Sequence, residues 1–237
     1  MYCFDSRVRY SEVSEDGKLS LTGIMNYMQD CSTFQSEDCG VGVEWLKKKD
    51  RAWLLVAWDI HILRRPELGD HITVITKPYY FEGVAGRRLF ELRLKEDETL
   101  LVRANSLWCY AQPSRQRPVR LTPEDVEPYG IPDSAEGDTE IKRRLIIPED
   151  ARKAEPFPIH KEHLDTNHHV NNGQYVNMAY GYLPEGMEPD RIQAEYRKQA
   201  HFGDIVFPLV SVSRDKATVG LGNEEGSMYA VISFEKE

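Results

Sequence analysis

The 237-residue sequence predicts an α+β protein built twice over: two copies of a long helix beside an antiparallel sheet, each sheet wrapped around its own helix and the two sheets joined edge to edge. Three observations carry this. A helix followed by four strands is expected in each half; both halves enter a strand through Gly-Asp, at Leu68-Gly-Asp70 and Phe202-Gly-Asp204; and a proline-rich stretch with acidic clusters lies between them. Joining the sheets removes two strand edges that would otherwise invite aggregation. The expected boundaries are residues 1–121 for the first copy, 122–153 for a linker and 154–237 for the second copy.

In the first copy a short polar-apolar stretch, Arg7 to Val13, leads to a turn over Ser14 to Lys18, where Asp16-Gly17 favours chain reversal. Leu21, Ile24, Met25 and Met28 then recur at i, i+3, i+4 and i+7, the spacing of one helical face, with Ser20 or Thr22 able to cap the first free N–H groups. Gly40 and Gly42 end that helix, and Val43 to Lys47 reads as a short helical turn. Strands follow at Trp53 to Leu63, where Trp58, Ile60 and Ile62 alternate with Asp59 and His61, and at 71–77, 87–94 and 100–110. The linker holds at most one strand, over 140–147. In the second copy an extended segment ends near His163, a helix is expected from about Val170 to Tyr182, and strands over 192–198, 205–213, 216–221 and 228–235. In this alignment of the halves, Asp16-Gly-Lys-Leu-Ser20 sits where Asn167-His-His-Val-Asn171 sits.

Composition narrows the function classes. The chain is long enough to bury a core, and 41% hydrophobic with 29% charged residues describes an ordinary globular protein. No apolar run is long enough for a membrane-spanning helix, and the N-terminus lacks the apolar stretch of a signal peptide, so a cytoplasmic protein with no membrane partner is expected. Cys3, Cys31, Cys39 and Cys109 are scattered, with neither a redox pair nor zinc-ligand spacing, and read as reduced apolar residues. A net charge of -9 argues against nucleic acid, which demands a basic surface. The Gly-x-Ser-x-Gly elbow, the phosphate loop and the dinucleotide fingerprint are all missing from the sequence.

Chemistry-bearing residues concentrate in one place. Of the seven histidines, five lie between His160 and His201, and four of those lie within His160 to His169. Asp165, Asn167, His168, His169, Asn171 and Asn172 are poor core material. With a helix starting near Val170 or Asn171, Asp165, Asn167 and His169 take alternate positions of the extended turn leading in, so their side chains project to one side. There the helix presents unpaired N–H groups and the positive end of its dipole, which can polarise a carbonyl and hold an oxyanion. A carboxylate beside that point acts either as a nucleophile or by activating water, and a histidine shuttles protons near neutral pH. The pattern suits acyl transfer to water. The competing reading is that Asp-x-Asn is a turn-and-cap device, and adjacent histidines point apart, so only one of His168 and His169 is expected to act. Zinc held by His160, His163 and His168 is disfavoured because the His-x-x-His pair splays on an extended segment, so no metal is expected.

The run Leu164-Asp-Thr-Asn-His-His-Val-Asn-Asn-Gly-Gln-Tyr175 resembles the D-x-N-x-H-V-N-N-x-x-Y motif of the plant and bacterial acyl-acyl-carrier-protein thioesterases, a family of double hotdog folds. The resemblance extends to the length, the duplication, the Gly-Asp entries and the opening Gly17-Lys-Leu-Ser-Leu21. It implies hydrolysis of the thioester between a fatty acyl chain and the phosphopantetheine arm of acyl carrier protein, without a cofactor, by a monomer or homodimer. It places Asp165, Asn167 and His169 on the catalytic aspartate, asparagine and histidine. The family's glutamate and the cysteine that follows it in plants fall on Gln199 and Ala200. Gln199 orients a water but accepts no proton, so Asp165 must carry more of the load. Substrate contact is expected at Val170, Asn171 and Asn172. The first copy, with no histidine in its turn, is expected to be silent and to hold the acyl tail against Leu21, Ile24, Met25, Met28, Trp53 and Trp58. Carrier docking would use Arg64-Arg65, Arg87-Arg88, Arg115, Arg117 and Arg120, Lys142 to Arg144, or Arg197-Lys198. The alternatives are an acyl-coenzyme-A thioesterase of the same architecture and a non-catalytic acyl-binding module.

Overall fold

The computed structural model of the chain describes residues 1–130, 141 and 144–236 and divides into two compact units. The first comprises Met1–Val56 and Ile62–Ile141, the second Ala57–His61 and Lys142–Glu237.

The first unit opens on β1 (Tyr2–Arg7), earlier in the chain than the stretch singled out in the sequence. Its side chains alternate only between half-buried and exposed, a weak period-2 signal that belongs to an edge strand. The helix α1 (Leu21–Asp38) begins where Ser20 accepts the Gly23 N–H on its side chain, and Leu21, Ile24, Met25 and Met28 are all buried, with Cys31 continuing the face. α2 (Val43–Lys48) follows, then β2 (Ala52–Ile62), β3 (His71–Glu82), β4 (Ala85–Leu94) and β5 (Leu100–Gln112). Within this unit the antiparallel order is β1-β3-β4-β5, with β6 (Arg117–Pro118) on the end of β5. Ile72, Val74, Phe90, Leu92, Val102 and Ala104 alternate inward and are fully buried, and the Cys31 thiol reaches the Val74 carbonyl at 3.5 Å, which ties α1 to that face.

The start of the expected linker is folded. α3 (Pro123–Val126) is opened by a capping box between Thr122 and Asp125, Tyr110 donates to Asp125 at 2.7 Å, and the Tyr129 and Ser36 hydroxyls meet at 2.9 Å. Tyrosine and aspartate partners are what allow these polar groups to be buried. The strand expected over 140–147 lies partly outside the described residues, and residues 144–147 form none.

In the second unit, Ala57–His61 of β2 pairs antiparallel with β9 (Arg191–Tyr196). The order continues through β12 (Met228–Glu235), β11 (Lys216–Gly222) and β10 (Ile205–Val212), and the short β7 (Arg152–Lys153) and β8 (Phe157–Pro158) both pair with β10. The helix α4 (Asn172–Tyr180) buries Gly173, Tyr175, Val176 and Ala179 and packs on β11 and β12. It is shorter than the expected 170–182 because Val170 pairs with Leu164 and Asn171 is the cap, while Gly181 and Pro184 prevent continuation.

The duplication is visible bond for bond. In the first unit Val13 pairs with Leu19, Ser14 N–H donates to Lys18 O, Gly17 N–H to Ser14 O and Ser20 N–H to Glu12 O. In the second, Leu164 pairs with Val170, Asp165 N–H donates to His169 O, His168 N–H to Asp165 O and Asn171 N–H to His163 O. The Gly-Asp entries match as well: Glu67 N–H donates to Asp70 Oδ2 and His201 N–H to Asp204 Oδ2. The alignment read from sequence, Asp16 on Asn167 through Ser20 on Asn171, is the one these bonds define.

One ion pair anchors β2 within the second unit. Asp59, 1% exposed, accepts Arg191 Nε at 2.9 Å and Nη2 at 2.7 Å, a bidentate clamp that compensates a carboxylate removed from water. Asp59→Ala removes the bidentate clamp and leaves Arg191 the more distant Glu235 carboxylate at 3.7 Å, which should destabilise the fold by about 2 kcal/mol, read as a lower midpoint in denaturant unfolding.

Candidate active site

The polar cluster singled out in the sequence is a closed turn. One turn of 3-10 helix, Lys161–His163, leads to the Leu164 and Val170 bridge, and Asp165 to His169 reverse the chain between them. Asp165 N–H donates to His169 O at 2.8 Å and His168 N–H to Asp165 O at 3.1 Å. The Asp165 Oδ1 accepts the N–H of Asn167 at 2.8 Å and of His169 at 3.3 Å. This corrects the expected extended approach with alternate side chains on one side, because the carboxylate folds over the turn and lowers the cost of reversing it. The turn-and-cap reading therefore holds for Oδ1. Among the described residues Oδ2 has no hydrogen-bond partner, so the other oxygen is available for chemistry. Asn167 and His168 are exposed; Asp165 and His169 are half-buried.

The helix start also differs in detail. Val170 N–H donates to Ala200 O at 3.0 Å, Asn171 N–H to His163 O at 2.9 Å, and Gly173 N–H to the Asn171 side chain at 2.8 Å. Of the amides over 170–172 expected to be free, only that of Asn172 lacks a partner among the described residues. The Tyr196 hydroxyl donates to the Asn172 carbonyl at 2.9 Å, which fixes the orientation of that residue at the positive end of α4.

Gln199 lies past the end of β9. Its neighbour Ala200 is held twice: the carbonyl takes the Val170 N–H, and the N–H donates to the Tyr175 hydroxyl at 3.0 Å. These bonds bring the 199–201 segment against the turn, although the exposed Gln199 side chain makes no hydrogen bond among the described residues. The same segment carries His201, whose ring meets that of His169 edge to face with centroids 4.9 Å apart. Burial, helped by His201 and His168 and opposed by Asp165, holds the His169 imidazole below the usual histidine value, so the neutral, proton-accepting form is favoured. Tyr175 was marked only as the last residue of the motif, and sequence spacing offered no sign of Tyr196 or His201 as parts of this site; the contacts are made by chain closure, and the surplus of histidines was the one hint of His201.

In the first unit the equivalent turn is filled by Arg65, which precedes Pro66 as Gln199 precedes Ala200. Its guanidinium binds Asp16 at 2.8 Å and 3.3 Å, the Ser14 hydroxyl at 3.3 Å, and the carbonyls of Lys18 at 3.2 Å and Leu19 at 2.9 Å. Leu21, Met25 and Met28 form the buried face of α1, and Trp53 packs half-buried on Tyr110 and Phe81 at 4.8 and 5.9 Å between ring centroids. Trp58 falls in the second unit.

The basic candidates sort by burial. Arg88 alternates inward on β4, hydrogen bonded to Gln35 and to Thr76 at 3.1 Å, and burial lowers its pKa to about 10; it is unavailable for docking. Arg65 is engaged as above and Arg197 binds Glu195 and the Leu145 carbonyl. Lys142 and Arg143 lie outside the described residues. Arg64, Arg115, Arg117, Arg120 and Lys198 are exposed and without an ion pair among the described residues. No group of three or more His, Cys, Asp or Glu among the described residues is arranged to hold a metal.

The second copy of this tandem α+β chain thus gathers an aspartate, an imidazole and an amide at one helix start. Comparison with known proteins identifies the family: residues 2–129 match the acyl-ACP thioesterase N-terminal domain and residues 147–228 the C-terminal domain, and the chain belongs to this family. A chloroplastic dodecanoyl-[acyl-carrier-protein] hydrolase of Umbellularia californica is 26% identical over 235 residues, covering 90% of this chain and 60% of that protein. The chain thus spans about three-fifths of the length of that curated relative. The same fold is found in an acyl-ACP thioesterase from Bacteroides thetaiotaomicron, at a TM-score of 0.87 and 18% identity over 99% of this chain and 97% of that one. It is found again in the 12:0-ACP thioesterase from Umbellularia californica, at 0.86 and 22% over 98% and 96%.

His168 has φ +63 where the first copy has Gly17 at φ +74. A left-handed residue with a side chain is strained, and glycine relieves this at the cost of a floppier unfolded chain. His168→Gly should therefore stabilise the protein by about 1 kcal/mol or less, as thermal unfolding would show.

Proposed function

We propose that the chain hydrolyses the thioester of a fatty acyl chain carried on acyl carrier protein, releasing free fatty acid and holo-carrier protein, at the turn over Asp165 to Asn172. The observation that supports this is that Asp165, whose Oδ2 has no partner among the described residues, His169, whose pKa is depressed, and the Asn172 amide lie in one turn at the start of α4 in a chain of this family. The positive helix end and the Asn172 amide face the carbonyl oxygen and stabilise the oxyanion. Asp165 Oδ2 orients a water, Asn167 holds it in register with Gln199, and His169 takes its proton as oxygen attacks the carbonyl carbon. Cleavage of the carbon–sulfur bond then gives the thiol. Direct attack by Asp165 is less well supported, since Oδ1 ties the carboxylate to the turn.

The chain is read as a double hotdog, with residues 1–121 holding the acyl tail against Leu21, Met25, Met28 and Trp53, a linker over 122–153, and catalysis in residues 154–237, where Val170, Asn171 and Asn172 contact the substrate. Arg65 supports a silent first copy, because it satisfies the polar groups of that turn from within. Exposed Arg115, Arg117 and Arg120 offer an acidic carrier a basic patch on an otherwise acidic protein. The four cysteines are free, which supports a reducing compartment such as the cytoplasm; no helix among the described residues is long and apolar enough to cross a membrane. A monomer or a homodimer both accommodate this reading.

Asp165→Asn and His169→Ala should each lower kcat/KM on carrier-bound acyl thioesters by about 100-fold or more with the fold unchanged; full activity in either removes the assignment. Rates on matched carrier-protein and coenzyme-A thioesters, from eight to eighteen carbons, should favour the carrier. Preference for coenzyme A refutes that partner, and tight acyl binding without turnover would instead mark a binding module. Because His169 must be neutral to accept a proton and its pKa is depressed, kcat/KM should fall on the acid side only below about pH 6.5, measured as a pH profile.

A further inference from the structure

We propose that His201 is a positioning and proton-relay residue of this site, acting through His169: seated edge-on against that imidazole, it keeps it neutral and passes to solvent the proton that each turnover releases. The inference rests on the hydrolytic reading above and adds a residue that neither motif spacing nor family assignment supplies.

The proton balance sets the need. Water adds to the carbonyl carbon and gives a proton to His169; the carbon–sulfur bond breaks with its electron pair on sulfur; the thiolate takes one proton to become thiol; and the carboxylic acid product ionises near neutral pH. One proton per turnover is left over and must leave. The carboxylate of the turn is already engaged, Oδ1 by two backbone N–H groups and Oδ2, in the reading above, by the attacking water. Gln199 does not titrate. His169 is half-buried, whereas His201 is exposed and its ring lies 4.9 Å from that of His169 at an interplanar angle of 71°. An exposed imidazole in contact with a shielded one is a route to bulk water.

The backbone around His201 is fixed for this. Ala200 is clamped between Val170 and Tyr175, and the His201 N–H donates to Asp204 Oδ2 at 2.8 Å. The titratable groups facing His169 are Asp165, His168 and His201; only Asp165 favours its protonated form, while a charge on either histidine opposes it. His201 differs from His168 in that its ring also packs on that of His169.

The test uses the full chain with His201→Ala and His201→Phe, the second keeping an aromatic ring on His169 without a titratable nitrogen. Both should lower kcat on a carrier-bound acyl thioester with KM little changed, and free imidazole should restore the rate of His201→Ala in proportion to its concentration while leaving the wild type unaffected. The His169 ring, followed by nuclear magnetic resonance, should titrate higher in His201→Ala than in the wild type by about half a pH unit or more, a readout that needs no turnover. Wild-type kcat in His201→Phe, or an unmoved His169 titration in His201→Ala, overturns the proposal. Full activity in His169→Ala overturns the site reading instead, so the two failures are distinguishable.

Discussion

The second unit depends on one small closure. Leu164 pairs with Val170, and the Val170 amide then reaches out of the turn to the carbonyl of Ala200 at 3.0 Å. The first contact fixes the reversal that carries Asp165, Asn167 and His169; the second attaches that reversal to the chain leaving β9. Tyr175 completes the attachment from the helix side by accepting the Ala200 N–H. The turn and the chain leaving β9 are thereby held by one backbone bond and one tyrosine hydroxyl, and backbone groups have few soft dihedrals and no rotamers to choose among. A site built this way needs little reorganisation when charge develops in it.

The same closure in the first unit has a different content. The bridge, the left-handed residue and the cap recur, but Arg65 fills the turn and binds Asp16, whereas Gln199 leaves the second turn open. The scaffold is common to both copies and the side chains that fill it are not. A guanidinium satisfies carbonyls and a carboxylate from inside the protein and so leaves them nothing to offer a substrate. An uncharged amide in the corresponding place leaves one carboxylate oxygen, one imidazole and one backbone amide available.

Asp165 is a structural residue and, in the function proposed above, a chemical one as well, so the two readings of Asp-x-Asn are compatible. Its Oδ1 has the work of an Asx turn, and this is what aims Oδ2. The histidines divide in a similar way. His168 supplies the backbone conformation at φ +63, and His169 supplies the imidazole. Adjacent residues point apart, so one dipeptide serves the turn and the site without conflict.

Much of this was legible in the chain itself. Local chemistry determined the face of α1 from the spacing of Leu21, Ile24, Met25 and Met28, the Gly-Asp strand entries, the correspondence of the two turns, and the concentration of polar groups at residues 165–172, because each depends on neighbours within a few residues. β1 was obscured by its half-wet edge position, and the helix start was set two residues late because Val170 is held by a carbonyl thirty residues further along the chain, at Ala200. The burial of Arg88, the filling of one turn by Arg65, the pairing of the Val170 and Asn171 amides and the meeting of His169 with His201 were decided only by tertiary structure. Each is a contact between segments that no sequence period links, and such contacts exist only once the chain has closed.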